Sequence, residues 1–379
     1  MCFEASVLFA NFCNFPFNKE VPTLKKLWIL FIFPAAVVCF MVFVKGSMVH
    51  TARFAISAMN PIGTIKYHLS NSTDGIVDAI LSTDDDQENS INPFENFVTA
   101  TPQPTASVDN TYNGDHPIVA MTYAPVLNDV TYRRQNCYVK NVTKLSKTEV
   151  EAELLGQLAF TVEKNSDQPQ ILIMHTHATE RYQNYPELFY DPEYTCRTTD
   201  NSKNMVSVGK IMVDKLNDLG YNTIQDATLH DYPNYNGSYD RSKATVEAYL
   251  AEYPSIKIVL DVHRDAIERA DGTRIKPVVN INGTSCAQIM LISGADNGYL
   301  NMPNYKKNLR FASHFQNCME SLYPGLTRPI LFDYRNYNQQ LTTGSILIEV
   351  GGHANTLEEA HNSARLIAYS LADMLDKQQ

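Results

Sequence analysis

Three short apolar runs in this chain each end abruptly in histidine or carboxylate, and this repeated ending limits both the fold and the place where chemistry can sit. The run Ile171-Leu172-Ile173-Met174 passes into HTHATE, His175 to Glu180. Ile256-Lys257-Ile258-Val259-Leu260 passes into Asp261, His263, Arg264 and Asp265, and Ser345-Ile346-Leu347-Ile348 into Glu349 and then Gly351, Gly352 and His353. Such runs read as buried strands. In open α/β sheets ligands bind beyond the carboxyl ends of the strands, so three strands that each deliver a polar cluster there predict one shared site.

Between these strands the apolar spacing changes to that of helices. A helix is expected at 147–160, with Leu154, Leu155 and Leu158 on one face, and another at 205–219, where Met205, Val208, Met212, Leu216 and Leu219 recur at helical spacing and Gly220 closes the pattern. Further helices are expected at 242–253, stopped by Pro254, at 306–322, and at 356–375, opened by the capping-box pair Thr356 and Glu359. Short strands are expected at 221–225, 287–293 and 329–334. The alternation predicts an α/β fold over 119–379: an open, mostly parallel sheet with helices on both faces.

The N-terminal part is different in kind. Residues 27–44 carry no charge and are bracketed by Lys25, Lys26 and Lys45. Their length corresponds to roughly 27 Å of helix, close to the hydrocarbon core of about 30 Å. They read as a single uncleaved membrane span, because no clear small-x-small cleavage site follows Val44. Lys19, Lys25 and Lys26 against Glu4 and Glu20 place a tail, 1–26, on the cytoplasmic side. Residues 45–118 then form an extracytoplasmic linker, whose acidic run Asp84 to Glu88 and following TPQPT have the composition of a partly disordered tether. The net charge of -10, with no clustered Lys or Arg, argues against nucleic acid as a partner. Seven cysteines without a C-x-x-C pair signal neither a thiolate metal site nor a dense disulfide framework.

Zinc hydrolases commonly hold the metal with two histidines and one carboxylate and leave a fourth position for water. His177, Glu180 and His263 supply such a set, and Glu349 fits the general base that takes a proton from the water and returns it to the leaving group. His175, turned to the same side as His177 by strand alternation, is the alternative ligand, with Asp200 a further substitute. Arg241, in the loop Asn234 to Arg241, and Arg264 are candidates for binding a substrate carboxylate. Asp261 and Asp265 are candidates for orienting a metal-bound imidazole. His230, His314, His353 and His361 have no partner pattern and read as structural or exposed.

As a set, HTHATE with the following Tyr182, LDVHRDA at 260–266 and ILIEVGGHAN at 346–355, behind one span and a polar linker, resemble the stage II sporulation protein P family of endospore-forming bacteria. That family is similar in turn to zinc N-acetylmuramoyl-L-alanine amidases. The resemblance implies that His177 and His263 are ligands of one zinc ion per chain and that Glu349 is the catalytic glutamate, with Gly351 and Asn355 in register. Gly352 and Ala354 replace the amidases' Phe and Ser, and Asn201 stands where their ligand Glu opens the first long helix, so Glu180 is the substitute third ligand. The resemblance implies a membrane-anchored, extracytoplasmic hydrolase of peptidoglycan that cuts the muramoyl-alanine amide during forespore engulfment, with cross-link endopeptidase activity left open. It implies stage II sporulation protein D, a lytic transglycosylase, and other engulfment membrane proteins as partners. Two alternatives stand beside it: a zinc carboxypeptidase-like enzyme and a non-catalytic, membrane-anchored wall-binding module.

Overall fold

Strands that are apolar on both faces must be covered on both, and the chain meets this demand unequally. The structure, a computed structural model, describes residues 116–378. The expected tail, the span at 27–44 and nearly all of the linker lie outside the described residues. In chain order the elements are β1 (Ile118–Met121), β2 (Thr131–Arg134), β3 (Cys137–Asn141), α1 (Lys147–Glu153), β4 (Ile171–Met174), α2 (Met205–Asp218), β5 (Thr223–Gln225) and α3 (Ser238–Glu252). There follow β6 (Ile258–Asp265), β7 (Arg274–Ile281), β8 (Thr284–Ala287), β9 (Ile289–Gly294), α4 (Tyr305–Leu322), β10 (Ile330–Asp333), a 3-10 turn (Gln339–Leu341), β11 (Gly344–Gly352) and α5 (Leu357–Asp376).

The fold is mixed α/β. An eight-stranded sheet runs in the order β2-β3-β10-β9-β11-β6-β4-β5, parallel except between β2 and β3 and between β9 and β11. A separate three-stranded sheet has the order β1-β7-β8. Strand alternation sorts the main sheet's side chains. Ile171, Ile173, Leu260, Val262, Ile346 and Ile348 face a core shared with Val208 and Met212 of α2, Phe311 of α4 and Leu371 of α5. Leu172, Met174 and Val259 face the opposite way, onto Val246 of α3. Helices therefore lie on both faces, with α3 on one and α2, α4 and α5 on the other. By the same period, His263, Asp265 and Glu349 point to the α3 side.

Several elements depart from expectation for physical reasons. The helix expected at 147–160 ends at Glu153, because Leu154 turns extended and Leu155 then takes a left-handed φ of 55°. The strand expected at 287–293 is two strands of two sheets. Ala287 pairs with Val278, whereas Ile289 pairs with Val350, and the buried Gln288 between them bonds the main chain of Tyr123 and Gly325. A period-two pattern cannot register such a change of sheet.

Gly209 of α2 packs on the His175 imidazole. A Cβ there would overlap Nε2 of His175 and lie 2.7 Å from Nε2 of Gln225. Alanine is ordinarily the better helix former by up to ~1 kcal/mol, but overpacking of this kind costs about 1–3 kcal/mol. Gly209→Ala is expected to lower the thermal unfolding midpoint; a midpoint at or above the parent's would show that α2 can lift off the sheet at little cost.

Candidate active site

The register of the central strands brings the polar ends together. On β11 and β6, Glu349 stands opposite His263, and on β4 Met174 stands opposite Asp261, so the turn that follows β4 lies beside His263. The ring of His177 meets that of His263 edge-on, with centroids 5.1 Å apart. Oε2 of Glu180 is 3.7 Å from Nδ1 of His263. Behind His263, Nε2 makes a 2.7 Å charge contact with Oδ1 of Asp261, and Asp261 is fixed in turn by the backbone N–H and hydroxyl of Thr176. Glu180 accepts from the backbone N–H of Arg264 and lies 3.7 Å from the guanidinium of Arg197.

An aromatic wall closes on His177. Tyr235 stacks on its ring at 4.6 Å with its hydroxyl 3.1 Å from Nε2, and Tyr239 of α3 meets the same ring edge-on at 5.5 Å. Asp231, held by Thr179 and Arg197, lies 4.0 Å from Nδ1 of His177.

The electrostatics favour a cation. Burial holds the His177 pKa below its ordinary value. Burial would do the same to His263, but Asp261, Glu180 and Glu349 outweigh it and raise its pKa to about 9. Glu180 resists the effect of burial and stays ionised, held low by Arg264, His263, His177 and Arg197. Glu349 is pushed up by burial and then by Asp265.

Among the described residues no three His, Cys, Asp or Glu side chains already close on one point as a metal cluster. The donor chemistry nonetheless fits a zinc site. Two imidazoles and a carboxylate face one another, Asp261 backs His263 as carboxylates back metal-bound histidines, and Nδ1 of His177 and Oε2 of Glu349 are buried without hydrogen-bond partners. Each such orphan costs about 1–3 kcal/mol, which groups that serve a ligand can carry.

The other expected residues fall elsewhere. His175 lies beneath α2, on the face opposite His263, with Nδ1 against the carbonyl of Val262 and Nε2 against Gln225. Asp265 pairs with Arg328 at 2.9 Å rather than with an imidazole. Every guanidinium nitrogen of Arg264 donates to a main-chain carbonyl, of Arg181, Asp265 or Cys196. Those of Arg241 donate to the carbonyls of His230, Asn236 and Asn234. Asp200 is exposed in a turn with Ser202 and Lys203. Sequence reasoning missed Asp231, Tyr235, Tyr239, Arg197 and Arg328. The one available signal was the pair of tyrosines that brackets Gly237 in the loop singled out for Arg241.

A family model described as Stage II sporulation protein P (SpoIIP) matches residues 103–372. Stage II sporulation protein P of Bacillus subtilis (strain 168) is 29% identical over 245 residues, which are 62% of this chain. The match spans 58% of that relative's length. Among solved structures, the CwlD amidase from Clostridioides difficile in complex with the GerS lipoprotein is similar at a TM-score of 0.35 and 10% identity, over 55% of this chain and 97% of that one. The N-acetylmuramoyl-L-alanine amidase AmiC2 of Nostoc punctiforme is similar at 0.32 and 11%, over 55% and 96%. Because the family model covers most of the sequence and takes in all three strand-end motifs, the chain belongs to the stage II sporulation protein P family.

Proposed function

We propose that this chain is a zinc-dependent cell-wall hydrolase of sporulation that cuts the amide between N-acetylmuramic acid and the first residue of the peptidoglycan stem peptide. The observation that carries the reading is the meeting of His177, Glu180 and His263 beside the unpartnered carboxylate of Glu349 on one face of the sheet. A zinc ion held by His177, Glu180 and His263 would supply a Lewis acid for a carbonyl oxygen and a water of pKa near 7. Glu349 takes the proton of the attacking water at Oε2 and passes it to the amine nitrogen as the carbon–nitrogen bond breaks. Asp261 holds His263 in orientation, and Tyr235 and Tyr239 limit the rotation of His177 and keep bulk water off it.

The location and partners belong to the same proposal. The span at 27–44 would anchor the chain with its N-terminus inside and the catalytic domain outside the cell membrane. There it would act on peptidoglycan with stage II sporulation protein D and other engulfment membrane proteins. Cross-link endopeptidase activity is a second reaction to be sought in the same products.

Mass spectrometry of the products released from purified cell-wall sacculi by the full-length chain tests the reading. The expected products are muramic acid with a free lactyl carboxyl group and stem peptides with a free amino terminus. Stem peptides shortened only from the carboxyl end would replace the amidase by a carboxypeptidase, and sacculi bound but uncut would replace the enzyme by a wall-binding module.

A further inference from the structure

Arg328 takes no part in the reaction just described, yet it is built into the same face of the sheet. It stands two residues before β10, separated from it by Pro329. Its backbone N–H donates to the carbonyl of Ile289, and its own carbonyl accepts from Gln316. The side chain is 6% exposed. Nη1 donates to Oδ2 of Asp265 at 2.9 Å, whereas Nε and Nη2 are buried and have no hydrogen-bond partner among the described residues. Asp265 follows His263 by two residues and so shares its side of β6. On the neighbouring strand β11, Glu349 stands opposite His263, so Asp265, its partner Arg328 and Glu349 meet on one face of the sheet.

Nε and Nη2 form one edge of the planar guanidinium and present two parallel N–H groups, which match the two oxygens of a carboxylate. A buried guanidinium rarely leaves two donors unmet. The ring of Tyr123 lies 5.8 Å from the Arg328 guanidinium carbon, in the irregular stretch between β1 and β2.

We propose that the Nε/Nη2 edge of Arg328 is a carboxylate clamp that holds a free carboxylate of the stem peptide beside Glu349. The clamp rests on the hydrolase reading for the identity of its ligand, but its test does not need turnover. Titration calorimetry of the full-length chain compares a stem peptide with free carboxylates and the same peptide with those carboxylates amidated. The free acid is expected to bind at least about tenfold tighter, the order set by one charge-assisted hydrogen bond. Arg328→Lys keeps a cation for Asp265 without the planar fork. It is expected to retain the parent's melting midpoint, to lose the preference, and to raise KM for the free-acid substrate about tenfold with kcat little changed.

Equal binding of the two peptides, binding of neither, or a preference kept in Arg328→Lys overturns the clamp. A loss of kcat on both substrate forms with KM unchanged overturns it as well. A parent chain that prefers the free acid but leaves sacculi uncut would sink the hydrolase reading and leave the clamp. One that cuts acid and amide with the same KM would do the reverse.

Discussion

Replacing Glu349 by Gln is expected to lower peptidoglycan hydrolysis by about two to four orders of magnitude while zinc stays bound, the range usual for losing a general acid–base group. Glutamine has nearly the same shape, so the pairing of β11 with β6 and β9 survives the change. What is lost is the ability to take and return a proton at an oxygen that no protein group now occupies. Stability should move the other way or stay level. Burial and Asp265 already disfavour the charged carboxylate, so removing that charge relieves the folded state. Dye release from labelled sacculi, read beside elemental analysis and a melting curve, checks all three expectations. Hydrolysis at the parent rate would remove Glu349 from the mechanism; loss of zinc would make it a ligand instead.

How much of this site can be read from the chain depends on whether neighbours in space are also neighbours in pattern. Ile171 to Met174, Ile258 to Leu260 and Ile346 to Ile348 announce themselves because strands buried on both faces are apolar at every position, so their polar ends stand out. The alternation that identifies them also shows why Arg264 does not follow His263 into the site. It is one residue further along β6 and therefore turns to the other face, where the carbonyls of Arg181 and Cys196 take it up. Asp231, Tyr235 and Arg328 gave no such signal. They come from a loop and from the segment leading into β10, and only tertiary packing sets their distance from His177 and Asp265. The strand β2 is short and lies at the edge of the sheet with Arg133 and Arg134 exposed, and β3 beside it spans only five residues, which leaves little apolar pattern to read.

The full-length chain, purified without chelator, is expected to carry about one zinc ion, and Glu180→Ala, His177→Ala and His263→Ala are each expected to lose it. Three protein ligands are the minimum that catalytic zinc sites use, so removing any one leaves a pair that cannot compete with dilution during purification. Glu180 is the informative position because HTHATE places it only three residues after His177, whereas its 3.7 Å approach to His263 depends on the turn that follows β4. Its ionised state, maintained by Arg264, His263, His177 and Arg197 against the effect of burial, suits a ligand that must be deprotonated at neutral pH. Elemental analysis supplies the stoichiometry, and the melting midpoint supplies a second readout, since a metal that binds only the folded chain raises it. Zinc retained in Glu180→Ala would transfer the third position to Asp231, whose Oδ2 lies 4.0 Å from Nδ1 of His177. Zinc missing from the parent chain as well would leave Oε2 of Glu349 buried with no ligand to serve, and would turn the reading toward a wall-binding module.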